Sequence, residues 1–210
     1  MTHLPAEYQI ERNLQKSNHS FGFVMFDHSR GLARRVYIRL RRRAWLSAMR
    51  RAGVSIHPSI ELVGAPPPYT GFTLGSGTRL ERDVTVGLVH EPGSNPILTI
   101  GRDVYIGRNT YMSAYMPLTI GDFTLIGAYC YLISSNHRFD DRTRPIRDQG
   151  NTGAPIVLGR DVWLGTHVVV LPGVTIADGA IIAAGSVVNR NVPEFEIWGG
   201  TPARFLKARP

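Results

Sequence analysis

From position 158 onward the chain reads LGRDVW, LGTHVV, VLPGVT, IADGAI, IAAGSV, VNRNVP, with an aliphatic residue opening each hexad at 158, 164, 170, 176, 182 and 188. The same phase holds upstream at Ile56, Leu62, Leu74, Leu80 and Val86, with Pro68 as the one non-aliphatic member. It resumes at Ile100, Ile106 and Met112, and again at Ile120, Ile126 and Leu132. Seventeen of eighteen positions obey the pattern, so the period belongs to the chain as a whole. Two residues earlier usually stands a small or β-branched residue, as at Thr78, Val84, Val104, Thr110, Thr124, Val162 and Ala180. Such i, i−2 pairs facing one way mark a strand. The next residue is Gly at 75, 87, 101, 107, 121, 127, 159 and 165, which reads as the tight bend of a corner. Short strands joined by corners, their aliphatic side chains inward, predict an all-β solenoid. Cys130 falls at an i−2 position and is expected in the core.

The rhythm breaks at 86 to 100, 112 to 120 and 132 to 158, steps of 14, 8 and 26 residues. A solenoid must return to register on every coil, so the extra residues leave it as loops, and loops on a rigid scaffold concentrate function. The longest break holds SSNHRFDDRTRPIRDQG. Its His137 is either a general base, since neutral imidazole is suited to accepting a proton near pH 7, or a histidine that turns the loop. Asp140 and Asp141 are placed either to orient His137 or to pair with Arg138, Arg142 and Arg144.

The periodic pattern resembles the hexapeptide-repeat proteins. That resemblance implies a left-handed parallel β-helix of three hexads per coil, covering roughly residues 55 to 205; the hand comes from the resemblance alone. The expected organisation is an N-terminal extension at 1–54, a β-helix at 55–192 with an extruded loop at 133–156, and a tail at 193–210.

Composition changes the picture in two places. The net charge of +8 is local, because residues 30–51, RGLARRVYIRLRRRAWLSAMRR, hold nine arginines and no acid. Few breakers, with Leu32, Val36 and Leu40 one turn apart, predict a helix. Ile38, Trp45 and Met49 fall on another face, so the segment is one helix buried on two sides or two short pieces. It suits a cap on the solenoid's open end or peripheral contact with an anionic membrane; no nucleic-acid motif accompanies the charge, and no nucleic-acid partner is expected. No run of about 18 apolar residues is present, and the first residues lack the apolar core of a signal peptide, so a cytoplasmic protein is expected. The single cysteine excludes a disulfide framework within the chain.

NHRFDDRTRPIRDQG, then APIVLGRDVWLGTHVVVLPGVTIADGAIIAAGSVV, then GGTPARFLK, is very similar to the acetyl-CoA-dependent O-acetyltransferases of the galactoside and maltose acetyltransferase type. The resemblance implies that His137 is the catalytic base and that Asn109 positions the acceptor. It places Trp163 beside the pantetheine arm, lets the backbones of Thr166 and Ala184 bond that arm, and sets Arg190, Arg204 and Lys207 near the donor phosphates. It also implies a homotrimer with sites between neighbouring subunits, acetyl-CoA as co-substrate, no metal, and a sugar or polysaccharide precursor as acceptor. An amino sugar, acetylated on nitrogen, is the alternative acceptor. One departure is plain: where galactoside acetyltransferases carry acidic residues, this chain reads Ser113, Ala114, Tyr115, Met116. Two other classes weigh less. A γ-class carbonic anhydrase would need three convergent histidines, and His57, His90, His137 and His167 lack that family's close spacing. A non-catalytic scaffold is opposed by the His137 loop and the GxPAR tail.

Overall fold

The computed structural model describes residues 28–63, 72–88 and 98–210. The chain forms two compact units, Met1–Leu40 and Arg41–Pro210. One continuous helix, α1 (His28–Arg51), answers the choice left open for the basic segment. Within the first unit the side chains of Val36, Tyr37 and Leu40 are exposed. Within the second, Trp45, Leu46 and Met49 pack against the solenoid core, and Arg42 donates to the carbonyls of Pro58 (2.7 Å) and Ile60 (2.6 Å). That part of α1 is therefore a cap. It ends where Gly53 takes φ +77° and Val54 N–H donates to Met49 O at 2.9 Å, a Schellman stop that delivers Val54 into the core. No described helix is long and apolar enough to cross a membrane.

The hexads stack as three parallel sheets. The first face carries Ser55–Ile56, Arg79–Leu80, Tyr105–Ile106, Leu125–Ile126, Trp163–Leu164 and Ile181–Ile182. The second carries Glu61–Val63, Thr85–Leu88, Tyr111–Ala114, Tyr131–Ile133, Val169–Val170 and Val187–Val188. The third carries Phe72–Leu74, Leu98–Ile100, Leu118–Ile120, Ile156–Leu158 and Thr175–Ile176. One strand from each face makes a coil, and the whole is a left-handed parallel β-helix. Register sets like on like, Leu80 beside Ile106 beside Ile126 beside Leu164 beside Ile182, so the hexad aliphatics form the core ladder. Each such Ile or Leu, removed from water, contributes about 1.5–3 kcal/mol.

Polar i−2 residues are satisfied within the ladder. Thr78, Thr110 and Thr124, all buried, donate to the carbonyls of Gly101 (2.7 Å), Gly127 (3.1 Å) and Gly159 (2.9 Å) on the next coil. Cys130 takes the equivalent place, its Sγ 3.1 Å from Gly165 O, and burial pushes its thiol up to about 11.

Three sequence expectations are modified. The glycines after the aliphatic residues are not there to bend: none of the eight has positive φ. A Cβ on Gly121 or Gly127 would stand 2.5 or 2.7 Å from the backbone of Gly159 or Gly165, so these glycines permit close approach of successive coils. The left-handed residue of many corners lies two positions later, at Asp103, Asn109, Phe123, Tyr129, Asp161 and His167 among others. Second, Pro68 lies outside the described residues, but Leu62 is on the second face and Leu74 on the third, so one corner spans that 12-residue step. An insertion of one full period leaves the phase intact and hides from a periodic reading. Third, the stretch 193–210, expected as a tail, stays in the architecture: after Val192 bridges Ile176, Glu196–Gly200 pairs beside Ile181–Ile182, with buried Trp198 next to Ile182. Ala203–Ala208 returns antiparallel as the outermost strand of the first face.

The long steps from Val63 to Phe72, Leu88 to Leu98, Ala114 to Leu118 and Ile133 to Ile156 all join the second face to the third.

Candidate active site

The longest excursion is a built arm. Ser135–His137 pairs antiparallel with Asn151–Gly153, setting His137 opposite Asn151. Its root is buried Ser134, whose Oγ donates to Ser113 O (2.9 Å) and accepts from Met116 N–H (2.8 Å), while Ala154 N–H donates to Ser134 O (3.1 Å). On the other stem a Cβ at Gly153 would lie 2.5 Å from Ser134 O and under 3 Å from Tyr115 and Met116, so only glycine passes there. The segment Ser113 to Met116, which departs from the galactoside pattern, thus forms the seat of the arm.

The arm's tip is tied to itself. Gln149 Nε2 donates to the carbonyls of Asp141 (2.8 Å) and Arg144 (2.9 Å), and Asp141 N–H donates to Gln149 Oε1 (3.0 Å). The Asp141 carboxylate accepts from Thr143 Oγ1 (2.6 Å) and N–H (2.9 Å), and these bonds lower its pKa. Arg138 Nε donates to Asn151 O (3.3 Å), and Arg144 to Asp148 O. Asp141 therefore orders the loop. The ring of His137 is exposed and has no hydrogen-bond partner among the described residues.

A second group of residues lies along the edge between the first and second faces. The N–H groups of Asn109, Tyr129, His167 and Gly185 donate to the carbonyls of Arg82, Arg108, Ala128 and Thr166, stacking these corners one above another. Asn109, Thr166 and Ala184 all belong to this edge. Thr166 Oγ1 donates to Ala128 O (2.7 Å) and lies 3.0 Å from His167 Nδ1. Just inside the edge, exposed Trp163 stands on the outer side of the first face, between Leu125 and Ile181 in register and with Tyr105 one coil further. This makes an outward apolar row on a face whose counterpart, the third, presents Thr73, Thr99, Thr119, Val157 and Thr175.

The terminal hairpin adds cations to the same face. Arg204 is opposite Gly199 and Lys207 opposite Ile197, and a bulge between those pairs puts the two on one side although they are three residues apart. From Trp163 through Ile181 and Ile197 to Lys207 is three strand spacings, about 14 Å. Arg204 Nη1 also donates to Ala203 O (2.8 Å). Arg190 is elsewhere: it follows Val187–Val188 and precedes Val192 of the third sheet, at the edge that bears the arm.

The structure thus gathers Asn109, Trp163, Thr166, Ala184, Arg204 and Lys207 on or beside the first face, and leaves His137 and Arg190 across the second. Between the two groups lie Tyr111 and Tyr131, stacked at 4.9 Å, with burial and the neighbouring phenol raising the pKa of Tyr131. Sequence reasoning missed the edge column of Tyr129 and His167, rings 5.0 Å apart and 7° from parallel, beneath the Arg108 guanidinium. The signal was present, since both occupy the hexad position of Asn109. Among the described residues no group of three His, Cys, Asp or Glu side chains converges on a metal site.

Residues 155–190 match the model of the bacterial transferase hexapeptide family (six repeats). The chain is 38% identical over 157 residues to a probable acetyltransferase, Rv3034c, of Mycobacterium tuberculosis, covering 75% of this chain and 48% of that one. It is 34% identical over 113 residues to the galactoside O-acetyltransferase of Escherichia coli, covering 51% of this chain and 55% of that one. The chain spans about half the length of these curated relatives. In fold it is similar to AntD, an N-acyltransferase from Bacillus cereus solved with dTDP-4-amino-4,6-dideoxyglucose and coenzyme A: TM-score 0.63, 18% identity, 78% of this chain and 89% of that one.

Proposed function

We propose, from the premise that this chain is a hexapeptide-repeat protein of the bacterial transferase type, that it is an acetyl-CoA-dependent O-acetyltransferase acting on a sugar hydroxyl of a surface polysaccharide or its precursor. His137 removes the acceptor's hydroxyl proton as the oxygen attacks the thioester carbonyl. A C–O bond forms, the C–S bond breaks, and the proton passes from His137 to the departing thiolate. Asn109 positions the acceptor. The donor runs along the first face, its pantetheine arm beside Trp163, Thr166 and Ala184 and its phosphates by Arg204 and Lys207.

The observation that carries this reading is the separation of the two groups. Within one chain the second face, roughly 15 Å of strand, separates Asn109 from the root of the arm that bears His137. The base and the donor edge become neighbours when the arm of one copy reaches the edge of another, which supports a homotrimer with sites at its interfaces and gives Arg190 a place beside a neighbouring copy's donor. The exposed row of Tyr105, Leu125 and Trp163 supports burial of that face. The apolar faces of Tyr111 and Tyr131, between the groups, suit the C–H face of a sugar ring. The galactoside O-acetyltransferase relative favours oxygen over nitrogen as the acceptor atom.

Co-purified mixtures of His137→Ala and Asn109→Ala chains test the reading. Each alone is expected inactive toward a panel of sugars and amino sugars, while mixed oligomers regain transfer because some interfaces pair an intact arm with an intact edge. Mixed oligomers without activity, or an active monomer, would overturn it; transfer to amines alone would replace the hydroxyl acceptor.

Peripheral membrane contact through residues 30–51 is a further part of the proposal. It is supported by exposed Val36, Tyr37 and Leu40 beside exposed Arg39. Failure to sediment with anionic vesicles at low salt would remove it.

A further inference from the structure

The arm has no apolar core to hold its shape. From Asn136 to Thr152 every residue but Gln149 is exposed. Phe139 and Ile146, its large apolar side chains, are 67% and 55% exposed. The stem is a short ribbon in which Ser135 faces Gly153, Asn136 faces Thr152 and His137 faces Asn151. A two-stranded ribbon by itself is marginally stable in water. The near end is fixed by buried Ser134. How firmly His137 is placed therefore depends on what fixes the far end.

One side chain is at the centre of that end. Just beyond His137, Arg138 N–H donates to Gly150 O (3.0 Å) and Arg138 Nε to Asn151 O (3.3 Å), the last bonds of the ribbon. Gly150, at φ +79°, turns the chain there, and Gln149 closes the tip. Its carboxamide takes both backbone groups of Asp141, accepting from the N–H (3.0 Å) and donating to the C=O (2.8 Å). A residue on a neighbouring antiparallel strand would pair with Asp141 in the same way. Gln149 Nε2 donates again to Arg144 O (2.9 Å). The segment so bridged is already shaped: the Asp141 carboxylate holds Thr143, Arg144 N–H donates to Asp141 O (3.4 Å), and a 3-10 turn at Ile146–Asp148 leads into Gln149, whose N–H donates to Ile146 O (3.1 Å). The His137 ring has no hydrogen-bond partner among the described residues, so its place is set by the backbone that carries it.

We propose that Gln149 is a positioning residue for the His137 base: its carboxamide bonds across the tip hold the ribbon, and with it the imidazole, in place before the acceptor arrives. The proposal rests on the reading of His137 as the base and deepens it. Gln149 touches no reacting atom. Its effect is geometric, and a misplacement of about 1 Å in a reacting group costs up to about 10²-fold in rate.

Gln149→Leu removes the carboxamide bonds at similar side-chain size. Its kcat should fall about 10- to 10²-fold. Acetyl-CoA affinity by calorimetry and Tm should stay unchanged, because the side chain belongs to the arm and not to the solenoid core. In a His137→Ala background the same change should cost nothing further, since effects that pass through one group are not additive. Hydrogen exchange gives a readout free of activity: the Arg138 amide, bonded to Gly150 O, should exchange several-fold faster in Gln149→Leu. Unchanged kcat, an equal loss in the His137→Ala background, or unchanged exchange at Arg138 would overturn the assignment. A fall in Tm that carries donor affinity down with it would do the same. If Gln149→Leu does not fold, Gln149→Glu keeps the bond from Asp141 N–H and loses those that Nε2 donates, and the same outcomes decide. His137→Ala chains that turn over as fast as the unaltered protein overturn the base reading itself, a result distinct from any of these.

Discussion

His137 and Asn109 stand at opposite edges of the same face of the solenoid, the first on a hairpin arm rooted at Ser134, the second at a left-handed corner beside Arg108. A parallel β-helix leaves little choice about this. Successive coils repeat in register, so a residue inserted at one corner cannot cross a face, and everything the chain adds leaves from the edge where it is added. Within one chain the two residues stay apart, and the proposed chemistry, which uses both, is expected where one copy's edge meets another's arm.

His137→Ala should lower turnover at least about 10²-fold, the span of general-base catalysis, with acetyl-CoA affinity kept. Steady-state kinetics with calorimetry of the donor checks this, and undiminished turnover would remove the histidine from the mechanism.

Ser134 is expected to act through His137. Replacing it with alanine leaves the Met116 N–H without its acceptor in a partly buried site, at a cost of about 1–3 kcal/mol. The arm stays attached through its strand pairing but loses its side-chain clamp. The expected result is a kcat several-fold lower at unchanged donor affinity, together with a lower Tm. A lower Tm at unchanged kcat would mean that Ser134 supports the fold alone.

The repeat made the solenoid legible because Leu80, Ile106, Ile126, Leu164 and Ile182 serve as core residues of identical kind, and one side chain per hexad declares the register. The arm was legible for the converse reason: a step of 26 residues from Leu132 to Leu158 cannot be absorbed in one corner. Two kinds of feature were not. The step from Leu62 to Leu74 preserves phase while spanning one corner, so periodicity is blind to it. The role of Gly121 and Gly127 depends on the neighbouring coil, a long-range contact that no local reading of turn chemistry supplies. The stacking of His167 on Tyr129 is of the same kind, since it joins residues 38 apart through a register the excursion obscures.

That contact can be tested directly. Gly121→Ala would put a Cβ 2.5 Å from Gly159 backbone and should destabilise by about 1–3 kcal/mol or more through overpacking. Gly150→Ala, at φ +79° with open space around it, should cost about 1–2 kcal/mol from backbone strain alone. Chemical denaturation of both variants gives the comparison, and an equal loss would restore the simple bend as the glycine's role.

Cys130 links the core to pH. Burial raises its thiol from 9.0 to about 11 in the folded chain, so folding favours the protonated form. The unfolded chain loses that proton first as pH climbs, so the contribution is complete below pH 9 and disappears between about 9 and 11. Stability should fall across that window, and Cys130→Ala should flatten the fall. A disulfide reagent at pH 8 should modify the native thiol far more slowly than the denatured one. Rapid native modification would show that the last coils open readily around Gly165.

Arg204 and Lys207 carry the final prediction. The bulge in the terminal hairpin puts both cations on the outer side of the first face, about three strand spacings from Trp163. If the donor lies along that face, its nucleotide end reaches them while its thioester end stays near Trp163. Arg204→Ala and Lys207→Ala should then weaken acetyl-CoA several-fold, and their effects should fall as salt rises, because an exposed cation facing a phosphate is screened. Acceptor KM should barely move. Comparison with dephospho-CoA locates the contact: a variant that loses affinity for CoA but not for dephospho-CoA has lost the 3′-phosphate. Equal loss for both places its cation on the diphosphate, and no loss for either would separate the hairpin from the donor.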